Sequence, residues 1–374
     1  MSSLYLHIPF CSRKCRYCSF ASVAGHPHLH ERYCRALIRE IETTPLDDRR
    51  LLNTLFIGGG TPSVLADSQL KLLLSTCAGV FGLTDDAEVT LETNPESLVC
   101  RDLDGLRRYG VNRVSIGIQS FNDDELAFLG RVHTAQQATQ AFLTARRAGF
   151  DTISLDLMYG LPEQTPATWQ TTLRQAIDLG PQHLSIYQLS IDDGTHFAQL
   201  DGQGNLSLPA EEQVAAMDDI TARLCARAGF EQYELSNYRQ PGYACRHNLV
   251  YWRNEDYFGC GAAAVSYRRR IRSSRTRDPQ HYCALIESGA SAVTEQEQLD
   301  AAAAFRETVV MGLRLNEGVS ERRLYGRFGY LFSDIYADLF TKLVEDELLV
   351  WDGSRLTLSE RGRQLANLVM RELV

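Results

Sequence analysis

Short runs rich in Leu, Ile, Val and Thr recur at 4–8, 54–57, 88–91, 113–118, 152–158 and 183–189, and longer stretches of helical period lie between them. Such alternation predicts repeated β-α units around a parallel sheet, because parallel strands need a crossover and the crossover is usually a helix. Leu29, Tyr33, Leu37, Ile38 and Ile41 typify the helical stretches: steps of three and four place them on one face. The count is six units of an α/β architecture. Past about residue 200 the alternation fades. A polar loop, DGQGNLSL, leads to a predicted helix over 210–228 and then to an irregular region over 233–277. From Leu299 the pattern is mostly helical, with a short strand and helix over 355–370. The expected domains are a barrel core over 1–200, a barrel extension over 201–298, and a small, mostly helical module of winged-helix type over 299–374.

Polar and glycine residues gather just past the predicted strand ends: Gly58 to Thr61, Glu92, Asn94, Gln119, Asp156, Tyr187 and Gln188. In parallel barrels that edge carries the chemistry, since every strand delivers its last side chains to one mouth. Of the 374 residues 44% are hydrophobic and 23% charged, enough for a large core, which excludes disorder and collagen-like repetition. A net charge of -9 repels phosphate backbones. Residues 300–374 hold ten basic and twelve acidic side chains, so the winged-helix-like module lacks a basic face and no nucleic-acid partner is expected. Ten cysteines are too sparse for a disulfide scaffold, and the opening MSSLYLHIPF has neither a basic n-region nor an apolar h-region. No apolar run approaches the roughly 20 residues that span a bilayer. A cytoplasmic protein with free thiols and at most peripheral membrane contact is the expectation.

Cys11, Cys15 and Cys18 form CSRKCRYC in the loop after the first strand. Three thiolates on one tight loop can hold three irons of a cubane cluster and leave the fourth open to an exchangeable ligand. A zinc site would need a fourth ligand, for which His26, His28 and His30 are nearest. The loop GGGTPS, residues 58–63, is not a phosphate loop, having no Gly-Lys-Ser/Thr, and Ser63 stands where a dinucleotide fingerprint has its third glycine. Its bare backbone suits close approach of a small zwitterion. The CxxxCxxC spacing with Tyr17 before the last cysteine resembles the radical S-adenosylmethionine (SAM) superfamily. That resemblance implies a 4Fe-4S cluster, whose open iron takes the amino and carboxylate groups of S-adenosyl-L-methionine, inside a partial six-unit barrel. It also implies cofactor contacts from Tyr5, Tyr17, Gly59, Gly60, Thr61, Glu92, Gln119, Arg131 and Asp156. Arg131 would pair with the methionyl carboxylate, and Gln119 and Asp156 would bond ribose hydroxyls.

HIPFC, DLMYGLP, YQLSIDDGT, YELSNY, HNLVYW and MGLRLNEGV resemble the oxygen-independent coproporphyrinogen III oxidase group. Its oxidase branch carries CxxxCxxCxC and an N-terminal extension; here Phe20 replaces the fourth cysteine and only ten residues precede Cys11. The haem-chaperone branch carries HNxxYW, matched by His247, Asn248, Tyr251 and Trp252. That likeness implies haem (heme) binding by this segment and transfer to haem-accepting apoproteins, respiratory cytochromes among them. Cys245 is a second candidate iron ligand. The run RRRIRSSRTR, including Arg268, Arg269, Arg270, Arg272, Arg275 and Arg277, reads as a solvated strand edge or a partner for haem propionates. Two rivals stay open: a coproporphyrinogen oxidase, and a metal-site protein bearing zinc.

Overall fold

The computed structural model describes residues 2–45 and 51–374. All six expected strands form: β1 (Ser2–Ile8), β2 (Leu52–Gly59), β3 (Leu83–Thr93), β4 (Arg113–Gln119), β5 (Thr152–Tyr159) and β6 (His183–Gln188). They pair in parallel and in sequence order. Side chains alternate across a strand, and here the two faces differ sharply. Leu4, Leu6, Leu55, Ile57, Val89 and Leu91 point to the helices and join the main apolar core. The intervening Tyr5, Thr54, Glu88, Glu92, Ser115 and Asp156 turn inward. Parallel strands covered on both sides usually read as unbroken apolar runs. A polar inner face signals that the barrel interior holds something other than packing side chains.

The helices begin where side chains satisfy their free N-H groups. Thr134 and Gln137 form a reciprocal cap ahead of Ala135–Arg147, with Thr134 N donating to Gln137 Oε1 at 2.9 Å. Thr165 accepts from Thr168 N at 3.2 Å ahead of Pro166–Asp178. The helix expected over 210–228 is Glu211–Arg227, and Trp169 docks onto it by donating Nε1–H to Thr221 Oγ1 at 2.9 Å.

The region expected to be irregular is more ordered than its sequence pattern shows. It supplies Asn237–Arg239, the helix Arg246–Trp252, and strands Phe258–Cys260, Val265–Arg268 and Ile271–Arg275. Phe258–Cys260 pairs in parallel with the outer edge of β1, while Asn237–Arg239 runs antiparallel along β6. The resulting nine-stranded sheet is open, because its two edge strands do not pair with each other. The arginine run is a hairpin, not a solvated edge: Ile271–Arg275 is the central strand of a three-stranded sheet completed by Val293–Gln298. Arg269 and Arg270 turn it with φ of 52° and 66°, the conformation a tight hairpin demands. Three-residue strands such as Phe258–Cys260 and Asn237–Arg239, paired with distant segments, leave too little local periodicity to be read.

A second apolar core, including Phe305, Leu324, Phe332 and Leu356, sits under the C-terminal helices and a three-stranded antiparallel sheet. Arg327 fastens this module to the barrel by donating to the carbonyls of Arg253 (3.0 Å) and Asn254 (2.7 Å). No helix among the described residues is long and apolar enough to cross a membrane.

Candidate cofactor site

The cysteine loop is pinned at the mouth of the barrel interior. Val23 N donates to Pro9 O at 2.7 Å, and Phe10–Cys11 pairs in parallel with Val23–Ala24. A turn from Cys15 to Cys18, closed by a 3.3 Å backbone bond, directs the half-buried thiols into a cavity of about 420 Å³. Every residue that the sequence assigned to the cluster and to S-adenosylmethionine lines this cavity, except Tyr5, which lines an adjoining larger one.

Arg131 organises the mouth. Its Nη1 donates to Cys15 Sγ at 3.4 Å, and its Nη2 donates to Asn94 Oδ1 at 2.7 Å and Gly117 O at 2.6 Å. Asn94 in turn donates to Thr61 Oγ1 at 2.9 Å, whose hydroxyl reaches Cys11 Sγ at 3.6 Å. Burial pushes the Cys11 thiol up, opposed by the Thr61 hydroxyl and by Arg131. Asn94 was legible as a polar strand-end residue, but its bridging role between Arg131 and Thr61 was not.

The glycine loop works by leaving atoms out. A Cβ on Gly60 would lie 2.6 Å from Phe10 O and 2.9 Å from Cys11 Sγ; one on Gly59, at φ +116°, would lie 2.8 Å from the His7 ring. Gly59 N donates to Glu92 Oε2 at 3.1 Å. Desolvation, reinforced by the nearby Asp156 carboxylate, pushes Glu92 up to about 8, so it is largely protonated at neutral pH. Asp156 accepts from Ser115 Oγ at 3.0 Å and is also raised by burial. Gln119 ends β4 in the left-handed region at φ 70°, strain of the kind that settles at functional edges.

These residues fit the expected groups. Arg131 Nε is buried without a partner among the described residues, and the cavity brings Arg131, the Glu92 and Asp156 carboxyls, bare backbone and three thiols together. Among the described residues no three Cys, His, Asp or Glu side chains converge closely enough to enclose a single metal ion. The expected fourth zinc ligands are engaged elsewhere: the His30 ring packs on Phe10 at 4.4 Å and His26 on His28 at 5.6 Å. A cubane, with its irons at separate corners, suits the thiols better than one zinc ion does.

The HNLVYW segment lies apart from the cysteine loop. It forms the short helix Arg246–Trp252 at the opposite end of the barrel interior, with its N-terminus capped by Glu88, which accepts from Arg246 N and His247 N at 3.0 Å each. His247 is 1% exposed. Its Nδ1 is bonded to Thr54 Oγ1 at 2.7 Å and its Nε2 to Tyr251 OH at 2.9 Å, and its ring stacks on Phe56 at 5.2 Å. Burial pushes this imidazole down to about 3. Both nitrogens being engaged, His247 has no lone pair to offer iron in this conformation. Cys245 is buried against Glu88 and pushed up to about 12. Asn248 is half-buried on the same helix, and Trp252 faces the C-terminal module, where the Arg314 guanidinium lies 4.4 Å from its ring centre. The helix thus touches both the floor of the barrel and the second module.

An open parallel barrel with a three-cysteine loop and a glycine cradle at its mouth defines a radical SAM protein, and the Radical SAM superfamily model matches residues 5–176. The model of the HemN C-terminal domain matches residues 299–365. The chain belongs to the HemW family within that superfamily. It is 37% identical to "Heme chaperone HemW" of Bacillus subtilis over 98% of this chain and 97% of that protein. Identity to the protein of the same name from Escherichia coli is 40%, covering 75% of each. Among solved structures, coproporphyrinogen III oxidase (HemN) from Escherichia coli is similar with a TM-score of 0.86 and 26% identity, over 100% of this chain and 89% of that one.

Proposed function

We propose that this protein is a haem chaperone: it binds a 4Fe-4S cluster, S-adenosyl-L-methionine and haem, and hands haem to acceptor apoproteins in the cytoplasm or at the membrane surface. The observation that carries the reading is the near-complete span of likeness to proteins named heme chaperone. Cys11, Cys15 and Cys18 would hold the cluster, which when bound supplies an open iron for the amino and carboxylate groups of the cofactor. Arg131 would receive a carboxylate, and Asp156 and Gln119 would accept from or donate to hydroxyls; that all three line one cavity with the cysteines supports this. Glu92 would lose its proton when a cation enters. S-adenosylmethionine brings two cationic groups, so its affinity should rise with pH up to about 8, by at most about tenfold per pH unit. Calorimetry at pH 6, 7 and 8 checks this; Glu92→Gln should flatten the dependence.

The likeness to a solved oxidase favours coproporphyrinogen turnover as the second reading. Phe20, in place of the fourth cysteine, opposes it. Anaerobically reconstituted protein should bind haemin unchanged and form no protoporphyrinogen from coproporphyrinogen III. Carbon dioxide released above a cluster-free control would restore the oxidase.

A further inference from the structure

Arg113 opens β4 on the face turned into the barrel, two positions before Ser115 and therefore on the same side of the strand. It is 2% exposed, and its Nε and Nη1 are buried without a hydrogen-bond partner among the described residues. A guanidinium keeps its charge wherever it sits, so burying it without bonds carries a cost that an apolar side chain of similar length would not. Packing alone does not account for it.

The groups whose charge bears on Arg113 are Cys245, Glu88 on β3, Tyr233 and Asp156 on β5, and His183 on β6 feels its charge in turn. Most of these are engaged with one another. Glu88 accepts from Arg246 N, His247 N and the Cys245 thiol, and Tyr233 OH is bonded to His183 Nε2 at 3.0 Å. Asp156 differs. The register sets it opposite Gly117 and sets Ser154 opposite Ser115, so its carboxyl stands above the layer of Arg113 and lines the cofactor cavity. Ser115 Oγ reaches both its oxygens, at 3.0 and 3.2 Å. Burial works against its ionisation; the Ser115 and Ser185 hydroxyls, the Arg113 charge and the Ser154 hydroxyl work for it. Glu92 and Tyr187, which face the same carboxyl across the cavity, bring no positive charge. Arg131, a cation of that cavity, is spent on Cys15, Asn94 and Gly117.

We propose that Arg113 is a positioning residue for the cofactor: its buried charge supports Asp156, one layer above, as the ionised acceptor for the ribose hydroxyls. The inference rests on the reading of Asp156 as a cofactor contact. Glu92, beside Asp156, holds its proton at neutral pH, so the two carboxyls offer the cofactor one fixed acceptor and one that titrates.

The test is calorimetry of S-adenosylmethionine binding to the cluster-reconstituted full-length protein, comparing Arg113→Met, Arg113→Lys, Asp156→Asn and the double variant Arg113→Met with Asp156→Asn. At pH 7, Arg113→Met should bind about tenfold more weakly than wild type, the difference between a charged acceptor and a neutral one. One positive charge lost and one proton gained leave the net charge facing the cofactor unchanged, so the deficit reports the hydroxyl bonds. It should narrow as pH rises and Asp156 ionises unaided. Arg113→Lys should keep most of the affinity. Asp156→Asn should weaken binding to a similar degree, and adding Arg113→Met to it should change nothing further. Infrared spectra of the cofactor-free protein at pH 7 give a second reading: Asp156→Asn should remove a protonated-carboxyl band from Arg113→Met and none from wild type. A role in folding alone would move neither the pH profile nor that band. If Arg113→Met matches wild type in affinity and pH profile, or loses as much in the Asp156→Asn background, Arg113 does not act through Asp156, which remains a contact. If Asp156→Asn binds like wild type, the reading of Asp156 falls and the inference with it.

Discussion

Cys15→Ala, reconstituted anaerobically, should lose its brown absorbance and nearly all bound iron and sulfide, whereas Cys34→Ala and Cys225→Ala should retain both. Cys11, Cys15 and Cys18 open into one cavity, while Cys34, Cys77, Cys225 and Cys283 are buried among apolar residues and Cys100 lies exposed on the surface. Three thiolates are the fewest that hold a cubane with one free corner, so losing one is not a graded injury. Iron and sulfide analysis per chain decides the matter; near-normal content in Cys15→Ala would remove these cysteines as ligands. Zinc in wild-type protein, with no visible absorbance, would do the same.

His247→Ala should lower the unfolding free energy by about 2–4 kcal/mol, through the cavity left beside Phe56 and the two hydroxyls, of Thr54 and Tyr251, stranded without a partner. Urea unfolding measures it. The same residue makes the protein acid-sensitive. The imidazole protonates at about 3 in the fold against 6.5 in the unfolded chain, so between those values the unfolded chain binds the extra proton. This contribution is therefore complete above about pH 6.5 and is lost as pH falls through the window, by up to about 1.4 kcal/mol per pH unit. His183, enclosed between Ser154 and Tyr233 and lowered by burial, acts with the same sign. His247→Gln should show a shallower acid loss than wild type; an unchanged slope would place the sensitivity elsewhere.

The six strands and the mouth of the barrel were legible in the sequence for one reason: in each strand a period-two alternation ends on a chemically marked residue, such as Glu92 in LETNP or Gln119 in GIQSF. The cysteine spacing is local as well. What was not legible depends on contacts between distant segments. The partner of His247 Nδ1 is Thr54, nearly 200 positions earlier, which nothing near HNLVYW announces. Phe258–Cys260 is too short to announce itself and becomes a strand only against β1. Arg277 and Arg272 are alike in the sequence, and only the pairs that Arg272 makes with Glu297 and Glu307 separate them among the described residues.

The pairing of β1 with Phe258–Cys260 also sets an order of events at the ribosome. Leu4 meets Phe258, a partner synthesised more than 250 residues later. At about 5–20 residues per second, roughly 10–50 s pass before the outer edge of the first strand can be covered. Throughout that interval the nascent chain carries an unpaired strand edge, the kind that recruits other strands, next to the three thiols of the cluster loop. Cluster delivery to the nascent protein would find those thiols before the last barrel strand and the C-terminal module are in place. The same interval is when they are most open to oxidation and the chain most open to aggregation. Slowing translation before residue 258 should therefore lower the yield of iron-loaded protein more in aerated cells than in anaerobic ones.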